Sequence, residues 1–362
     1  MTKAEGAENP PSPEEFEVTL IGPGYGESLV LHIGDGSWVI VDSCIDDEGN
    51  PHALKYLESI GVNPAQVVDL VVATHWHDDH IRGMAKMVEV CSNAKFCCAS
   101  TLLKGEFLAA VGALEGHHLS VEGSGVREIH SVFTLLESRA SQPTFALGNQ
   151  LIHVQGKCEI RSLSPSSADF QDFLKSVGNL FPREGQTKTR IPTLSPNRVA
   201  VVLWIAFEEG AVLLGSDLEK RGWIEILQKQ AQSSGQASVF KVPHHGSANA
   251  HEPGVWQRML TLDPFAVLAP WQKCGRSLPT RNDTQRILAC TSNAYITARI
   301  GPSRSTRSDK GMVHRTIRES GINLRSVSMA FSAIRLRRPL GSQGQWNIKT
   351  FGSACGLDDL VE

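Results

Sequence analysis

The decapeptide Val-Val-Ala-Thr-His-Trp-His-Asp-Asp-His, residues 71–80, constrains this chain more than any other stretch. It joins an apolar, β-branched run (from Asp69 through Ala73) to three histidines and two aspartates within six positions. A continuous apolar run of this length reads as a strand buried on both faces, which requires layers above and below it. His75 and His77 stand at i and i+2, so on an extended segment both imidazoles point to one side, and Asp79 continues the alternation. His80 follows one residue later, where the chain turns into a helix and can aim at a second point. The spacing therefore suits two neighbouring metal ions better than one. Imidazole and carboxylate together favour zinc, and manganese or iron also fit.

The rest of the chain supplies the layers. Strands are expected at 15–22, 28–34 and 38–43, joined by Gly-containing turns. A helix is expected at 52–61, whose Leu54, Leu57 and Ile60 share one face, and another at 81–91. Beyond KFCCAS (95–100) come helices at 102–114 and 126–138, strands at 151–155 and 158–165, and a helix at 167–178. Strands at 198–207 and 210–217 follow, then a helix from 219, a strand from 237 to 247, a helix at 256–262, a strand at 265–271, a helix at 284–291 and strands near 295–300 and 332–338. Strand runs first, then alternating β and α, twice, predict a layered α/β architecture in a single domain over residues 16–350. Residues 1–15, acidic and Pro-rich, are expected to be a disordered tail, and 351–362 a C-terminal tail.

Composition excludes several classes. At 362 residues, 41% hydrophobic and 20% charged, the chain reads as an ordinary soluble domain. Its longest apolar run, VVLWIAF at 201–207, falls far short of the roughly 20 residues needed to cross a bilayer. The N-terminus has no apolar core of the secretory type. The eight cysteines are scattered and form no C-x-x-C pair, which predicts buried thiols in a reducing cytoplasm rather than a disulfide framework. Vicinal Cys97 and Cys98 are expected to place one side chain inward and one outward on a short strand.

The pattern H-x-H-x-D-H (His75, His77, Asp79, His80) resembles the signature of the metallo-β-lactamase superfamily. The resemblance covers most of residues 15 to about 300 and implies a four-layer αββα sandwich. It also implies further ligands downstream. VLLGSD (212–217) ends an apolar strand in Asp217, the counterpart of the family's metal-bridging carboxylate. FKVPHHGS (240–247) ends another in His244-His245, one of which is the counterpart of the last ligand. WVIVDS places Asp42 where the family has a strand-end aspartate that supports the ligands from behind. The implied arrangement holds one ion on His75, His77 and Asp217, and the other on Asp79, His80, Asp217 and His245. His244 is then free to contact the substrate or protonate a leaving oxygen. From sequence alone the two adjacent histidines remain interchangeable.

One departure narrows the branch. Where many members carry a third histidine in Pro-Gly-His-Thr, this chain has Ser-Pro-Asn, with Asn197 at that place. Together with Lys-Val-Pro-His-His-Gly-Ser, this is similar to the soluble hydrolase domain of ComEC-type DNA-uptake proteins and to bacterial phosphorylcholine esterases. Leu-Pro-Thr at 278–280 shares only its proline with the ComEC-type segment. The departure leaves one ion with only His75, His77 and Asp217 from the protein. It points away from thioesterase and transfer-RNA-processing branches, which would need that histidine.

The resemblance implies a binuclear metal-dependent hydrolase, most directly a phosphodiesterase or nuclease. Two divalent ions, zinc or else manganese, would share a hydroxide that attacks phosphorus, with Asp79 and His244 nearest the chemistry. Ser247 and Lys241 are candidate substrate contacts, although a lysine at a strand end is ordinarily solvated. The same metal chemistry attacks acyl carbon, so a lactonase, amidase or thioesterase is the alternative, and a non-catalytic binding module a third. Charge distribution favours the first. From Lys273 to Arg338 there are fourteen Lys/Arg against three acids, a net +11, which leaves −14 for the remainder. Such a segment suits a phosphate-bearing partner such as nucleic acid.

Overall fold

A computed structural model describes residues 9–102, 124–178, 196–229, 235–273, 276–299, 330–341 and 344–361. The helix expected at 102–114 lies almost wholly outside these residues, as do positions 1–8 of the expected N-terminal tail.

The first half of the chain builds one sheet. β1 (Glu15–Ile21), β2 (Ser28–His32) and β3 (Trp38–Val41) form an antiparallel meander, and β4 (Val68–Ala73), β5 (Lys95–Ala99) and β6 (Thr144–Ala146) add to it in parallel. Between them run α1 (His52–Ser59), the single turns α2 (Pro64–Val67) and α3 (Asp78–Ile81), α4 (Met84–Val90) and α5 (Ser124–Ser138). The second half builds the other sheet. The hairpin β7 (Gln150–Gln155) and β8 (Cys158–Ser162) precedes α6 (Ser167–Gly178), and the hairpin β9 (Leu203–Phe207) and β10 (Gly210–Leu214) precedes α7 (Lys220–Lys229). Then come β11 (Ala237–Lys241), α8 (Pro253–Arg258), β12 (Leu260–Leu268), a small hairpin β13 (Trp271–Lys273) and β14 (Arg276–Leu278), α9 (Arg281–Leu288) and β15 (Ala294–Ile296). β16 (Ala333–Pro339) and β17 (Asn347–Phe351) return to the first sheet, and β18 (Cys355–Gly356) to the second. The orders are β17-β16-β1-β2-β3-β4-β5-β6 and β18-β15-β12-β11-β10-β9-β8-β7.

Three apolar clusters mark the three interfaces of a four-layer αββα sandwich. One packs α1, α4 and α5 against the first sheet, through Leu57, Met87 and Phe133 onto Val71 and Phe96. The second lies between the sheets, where Leu31, Val39 and Leu70 face Ile160, Leu203 and Val239. The third packs α7, α8 and α9 on the second sheet, with Trp223, Val255 and Ile287 around Phe240 and Leu268. The four-layer expectation therefore holds. Because both faces of each sheet are covered, Cys97 and Cys98 point opposite ways yet are both fully buried, which corrects the expected inward and outward pair. Burial pushes the Cys97 thiol up to about 12.

Other expectations change in detail. The helix expected at 256–262 ends at Arg258, and its last residues belong to β12, where parallel pairing with β11 outweighs local periodicity. Residues 196–199 form a 3-10 turn rather than the start of a strand. Residues beyond 351, expected as a tail, carry β18 paired with β15, and Leu357 is fully buried. Part of the basic segment is structural. Arg338 stacks over Phe207 and Trp346, Arg335 lies over Phe351, and Arg337 pairs with Glu17 at 2.6 Å. Its arginines and lysine at 304–325 lie outside the described residues.

Candidate metal centre

The topology brings the ligand-type residues to one edge. β1, β3 and β4 end there in the first sheet, and β10, β11 and β12 in the second. The segment after β4 carries His75, His77, Asp79 and His80. Asp217 follows β10, and His245 follows β11. Their donor atoms fall into two groups, His75, His77 and Asp217, and Asp79, His80 and His245, each with its atoms within 4.8 Å of one another. Asp217 connects them: its Oδ2 is 3.9 Å from His75 Nε2 and 3.7 Å from His245 Nε2, and its Oδ1 is 3.3 Å from His80 Nε2. His77 is half-buried and the other five are buried.

The imidazoles are oriented from behind. Asp42, at the end of β3, accepts hydrogen bonds from Thr74 N at 2.8 Å and Thr74 Oγ1 at 2.7 Å, and pairs with His80 Nδ1 at 2.8 Å. With Nδ1–H donating to Asp42, the His80 Nε2 lone pair faces the cluster, the support expected of a metal ligand. His245 is set the same way, with Nδ1 on the Ala269 carbonyl at 3.1 Å and Nε2 facing Asp79 Oδ2 at 3.2 Å. His75 Nδ1 lies 3.0 Å from Thr74 Oγ1, which leaves its Nε2 only 3.2 Å from His77 Nδ1. Convergent ring nitrogens, together with buried His80 Nε2 and Asp217 Oδ1, which face each other at 3.3 Å and make no hydrogen bond among the described residues, suit a divalent cation. The donor set thus fits metal.

Electrostatics follow the same geometry. Burial, aided by neighbouring His80 and His77, holds His75 well below the ordinary histidine value. Burial alone would lower His80 and His245 too, but the carboxylates around them, chiefly Asp217, raise both. Asp217 and Asp79 are held below the usual carboxylate range against burial, Asp217 chiefly by His80 and Asp79 by its bond to His245.

The remaining expected residues lie around this core. Asp78 accepts a hydrogen bond from Gly125 N at 2.7 Å and so anchors the start of α5. Asn197 is buried, and its Nδ2 lies 3.2 Å from His244 Nε2. His244 Nδ1 meets Asn249 Oδ1 at 2.9 Å. Ser247 closes the turn through its backbone N–H to the His244 carbonyl at 2.9 Å. His244 and His245 both adopt left-handed backbone, φ 49° and 53°, followed by Gly246 at φ 83°. This run sends the adjacent imidazoles to different places, His245 into the cluster and His244 to Asn197. Such backbone costs roughly 1–2 kcal/mol per non-glycine residue, and Arg286 of α9 holds it by donating to the Gly246 carbonyl at 2.7 Å.

Two residues differ from the sequence reading. Lys241 is 0% exposed, so it is no solvated strand end and no substrate contact. Its ammonium pairs with the carboxylate of Glu27, also 0% exposed, a residue between the strands expected at 15–22 and 28–34 that no sequence motif singles out. Glu27 sits in the β1–β2 connection, held by Glu27 N donating to the Asp79 carbonyl at 2.8 Å. Gly26 before it has φ 85°, and a Cβ there would lie 3.0 Å from that carbonyl oxygen, so glycine is required for the close approach. The available signal was topological: β1 runs parallel to β3 and β4, so its C-terminal end shares their edge.

The family model described as the metallo-beta-lactamase superfamily matches residues 21–252, a span from the end of β1 past His245. No curated protein sequence matches significantly. Similar solved structures include the metallo-beta-lactamase fold protein YhfI from Bacillus subtilis, with 13% identity, TM-score 0.40, and coverage of 78% of this chain and 95% of that one. A putative metal-dependent hydrolase from Parabacteroides distasonis has 12% identity, TM-score 0.35, and coverage of 86% and 92%. Human tRNase Z, short form, has 10% identity, TM-score 0.35, and coverage of 70% and 91%. With the family model matching well over half its length, the chain belongs to the metallo-beta-lactamase superfamily, whose members are in general metal-dependent hydrolases.

Proposed function

We propose that this protein is a binuclear metal-dependent phosphodiesterase, with nucleic acid as its substrate class. The observation that carries the reading is Asn197, which stands where many relatives place a third histidine and is hydrogen-bonded to His244 instead. Among the described residues the first group of donors is therefore His75, His77 and Asp217, which would leave coordination positions for substrate oxygens. The Pro-Asn and Lys-Val-Pro-His-His-Gly-Ser segments support the ComEC-type comparison. The basic residues of 273–338 other than Arg286, Arg335, Arg337 and Arg338, which are engaged within the fold, support a polyanionic substrate.

Zinc, or alternatively manganese, would supply Lewis-acid activation of water and charge neutralisation on the phosphoryl group. His75, His77 and Asp217 would hold one ion, and Asp79, His80 and His245, with Asp217, the other. Asp42 fixes His80. His244 donates its Nδ1–H to Asn249 Oδ1 and accepts from Asn197 Nδ2 at its Nε2, so it would exchange a proton with a leaving oxygen only by giving up the Asn197 contact. Asn197 Nδ2 orients that nitrogen. Asp217 Oδ1 and Oδ2 keep the two ligand groups at fixed separation. We place the protein in a reducing cytoplasm; the seven cysteines of the described residues are free thiols, five of them buried, which supports that setting.

The test is a substrate panel on protein whose bound metal has been quantified. Cleavage of single-stranded or duplex nucleic acid, or of a bis-aryl phosphodiester, is expected in wild type, and loss of that cleavage in His75→Ala. Turnover confined to lactones, amides or thioesters would refute the phosphodiesterase reading.

A further inference from the structure

Beneath the ligand cluster lies a charge pair that the proposed chemistry does not use. Lys241, the last residue of β11, and Glu27, in the β1–β2 connection, join the two sheets under the metal-binding edge. A lone ammonium buried at this depth costs several kcal/mol, so its surroundings must be built for a cation. The three N–H groups of Lys241 have three oxygens about them: the Glu27 carboxylate, the Ser216 carbonyl at 2.9 Å and Asp217 Oδ1 at 3.8 Å. Apart from the Lys241 ion pair, neither Glu27 oxygen has a hydrogen-bond partner among the described residues. Glu27 Oε1 lies 3.6 Å from His80 Nδ1, and Oε2 lies 3.8 Å from His245 Nδ1.

The same place has the dimensions of a metal site. Glu27 and Asp217 belong to one ligand-sized group, with His80 beside them but already committed to Asp42 and the second ion, and the Ser216 carbonyl adds a third oxygen about the ammonium. Hard oxygen donors of this kind suit magnesium or manganese. An ammonium and a divalent ion thus compete for one notch, and the ammonium is covalently tethered there. Ser216 has left-handed backbone, φ 46°, and the Lys241 bond to its carbonyl steadies the turn that aims Asp217 at the cluster.

We propose that the Lys241 ammonium is a resident cation filling a third cation position of the centre, and so holds the complement of divalent ions at two. This deepens the two-ion reading of the site and rests on it. The experiment counts manganese bound per chain, by elemental analysis after desalting from saturating Mn²⁺, in wild type, Lys241→Ala and Glu27→Gln/Lys241→Ala. Lys241→Ala is expected to carry one ion more than wild type, and the double variant to return to the wild-type count. Equal counts in Lys241→Ala and wild type overturn the proposal. If Lys241→Ala unfolds in metal-free buffer, Mn²⁺ is expected to restore its circular dichroism and melting transition. A variant that stays unfolded at saturating Mn²⁺ overturns the proposal as well. A wild type that binds no ion instead defeats the two-ion reading, while the difference between variant and wild type still decides the third position.

Discussion

Asp42 touches no proposed metal position, yet it accepts three hydrogen bonds that fix Thr74 and His80. Asp42→Ala is expected to weaken metal binding about 10- to 100-fold, the usual cost of losing such support. Competition against a chelator measures it, and unchanged affinity would contradict the role. Protons report on the same residues. Burial opposes charge on His80 and His245, but the surrounding carboxylates raise both above the ordinary histidine value. In the metal-free protein their stabilising contribution is therefore full below about pH 6.5 and fades as pH rises through the raised folded values. Metal uptake displaces these protons, so affinity should increase with pH. Calorimetry in two buffers of different ionisation enthalpy should show net proton release near neutrality, and none would count against the assignment. Much of this was legible in sequence because His75, His77, Asp79 and His80 sit within six residues. Glu27 and Lys241 were not. Nothing local distinguishes a buried lysine from a solvated one, because its partner lies on a different sheet, more than two hundred positions away.

Among the elements, α9 does the most at a distance. Thr280 and Asp283 form a capping box at its start, and Asp283 also pairs with Arg286 at 2.7 Å. Arg286 in turn holds the Gly246 carbonyl and with it the left-handed run at His244 and His245. Arg286→Ala removes a charge-assisted hydrogen bond, about 1.5–3 kcal/mol, and is expected to lower the melting temperature. It should also weaken the ion bound by Asp79, His80 and His245 more than the other. Differential scanning calorimetry with metal titration checks both, and a variant indistinguishable from wild type would contradict the account. Elements with long uninterrupted patterns, such as β1–β4 and α5, were legible in sequence. β12 was not. Its first residues carry Leu260 and Leu262 at a spacing that continues the α8 pattern, but Leu262 is 99% exposed and the segment pairs with β11 across a register shift. That bulge accommodates Pro264 within the strand.

For the molecule as a whole, the two sheets matter because the centre lies on the edge they share. His75, His77, Asp79 and His80 come from one sheet, Asp217 and His245 from the other, and the apolar layer between the sheets fixes their separation. A layered α/β architecture could be inferred because both halves alternate strand and helix; its four-layer αββα form was implied by the resemblance that His75, His77, Asp79 and His80 carry. The charge asymmetry was read as a phosphate-binding surface, but Arg335, Arg337 and Arg338 are engaged in packing and pairing, which sequence composition does not reveal. The central claim is that Asp217 joins two ions into one hydrolytic centre. The direct measurement is a titration of metal-free protein with zinc or manganese, following hydrolysis of a bis-aryl phosphodiester, in wild type and Asp217→Asn. Activity that rises to a plateau at two equivalents in wild type and is lost in Asp217→Asn is the expected result; full activity in the metal-free protein, or in Asp217→Asn, would contradict it.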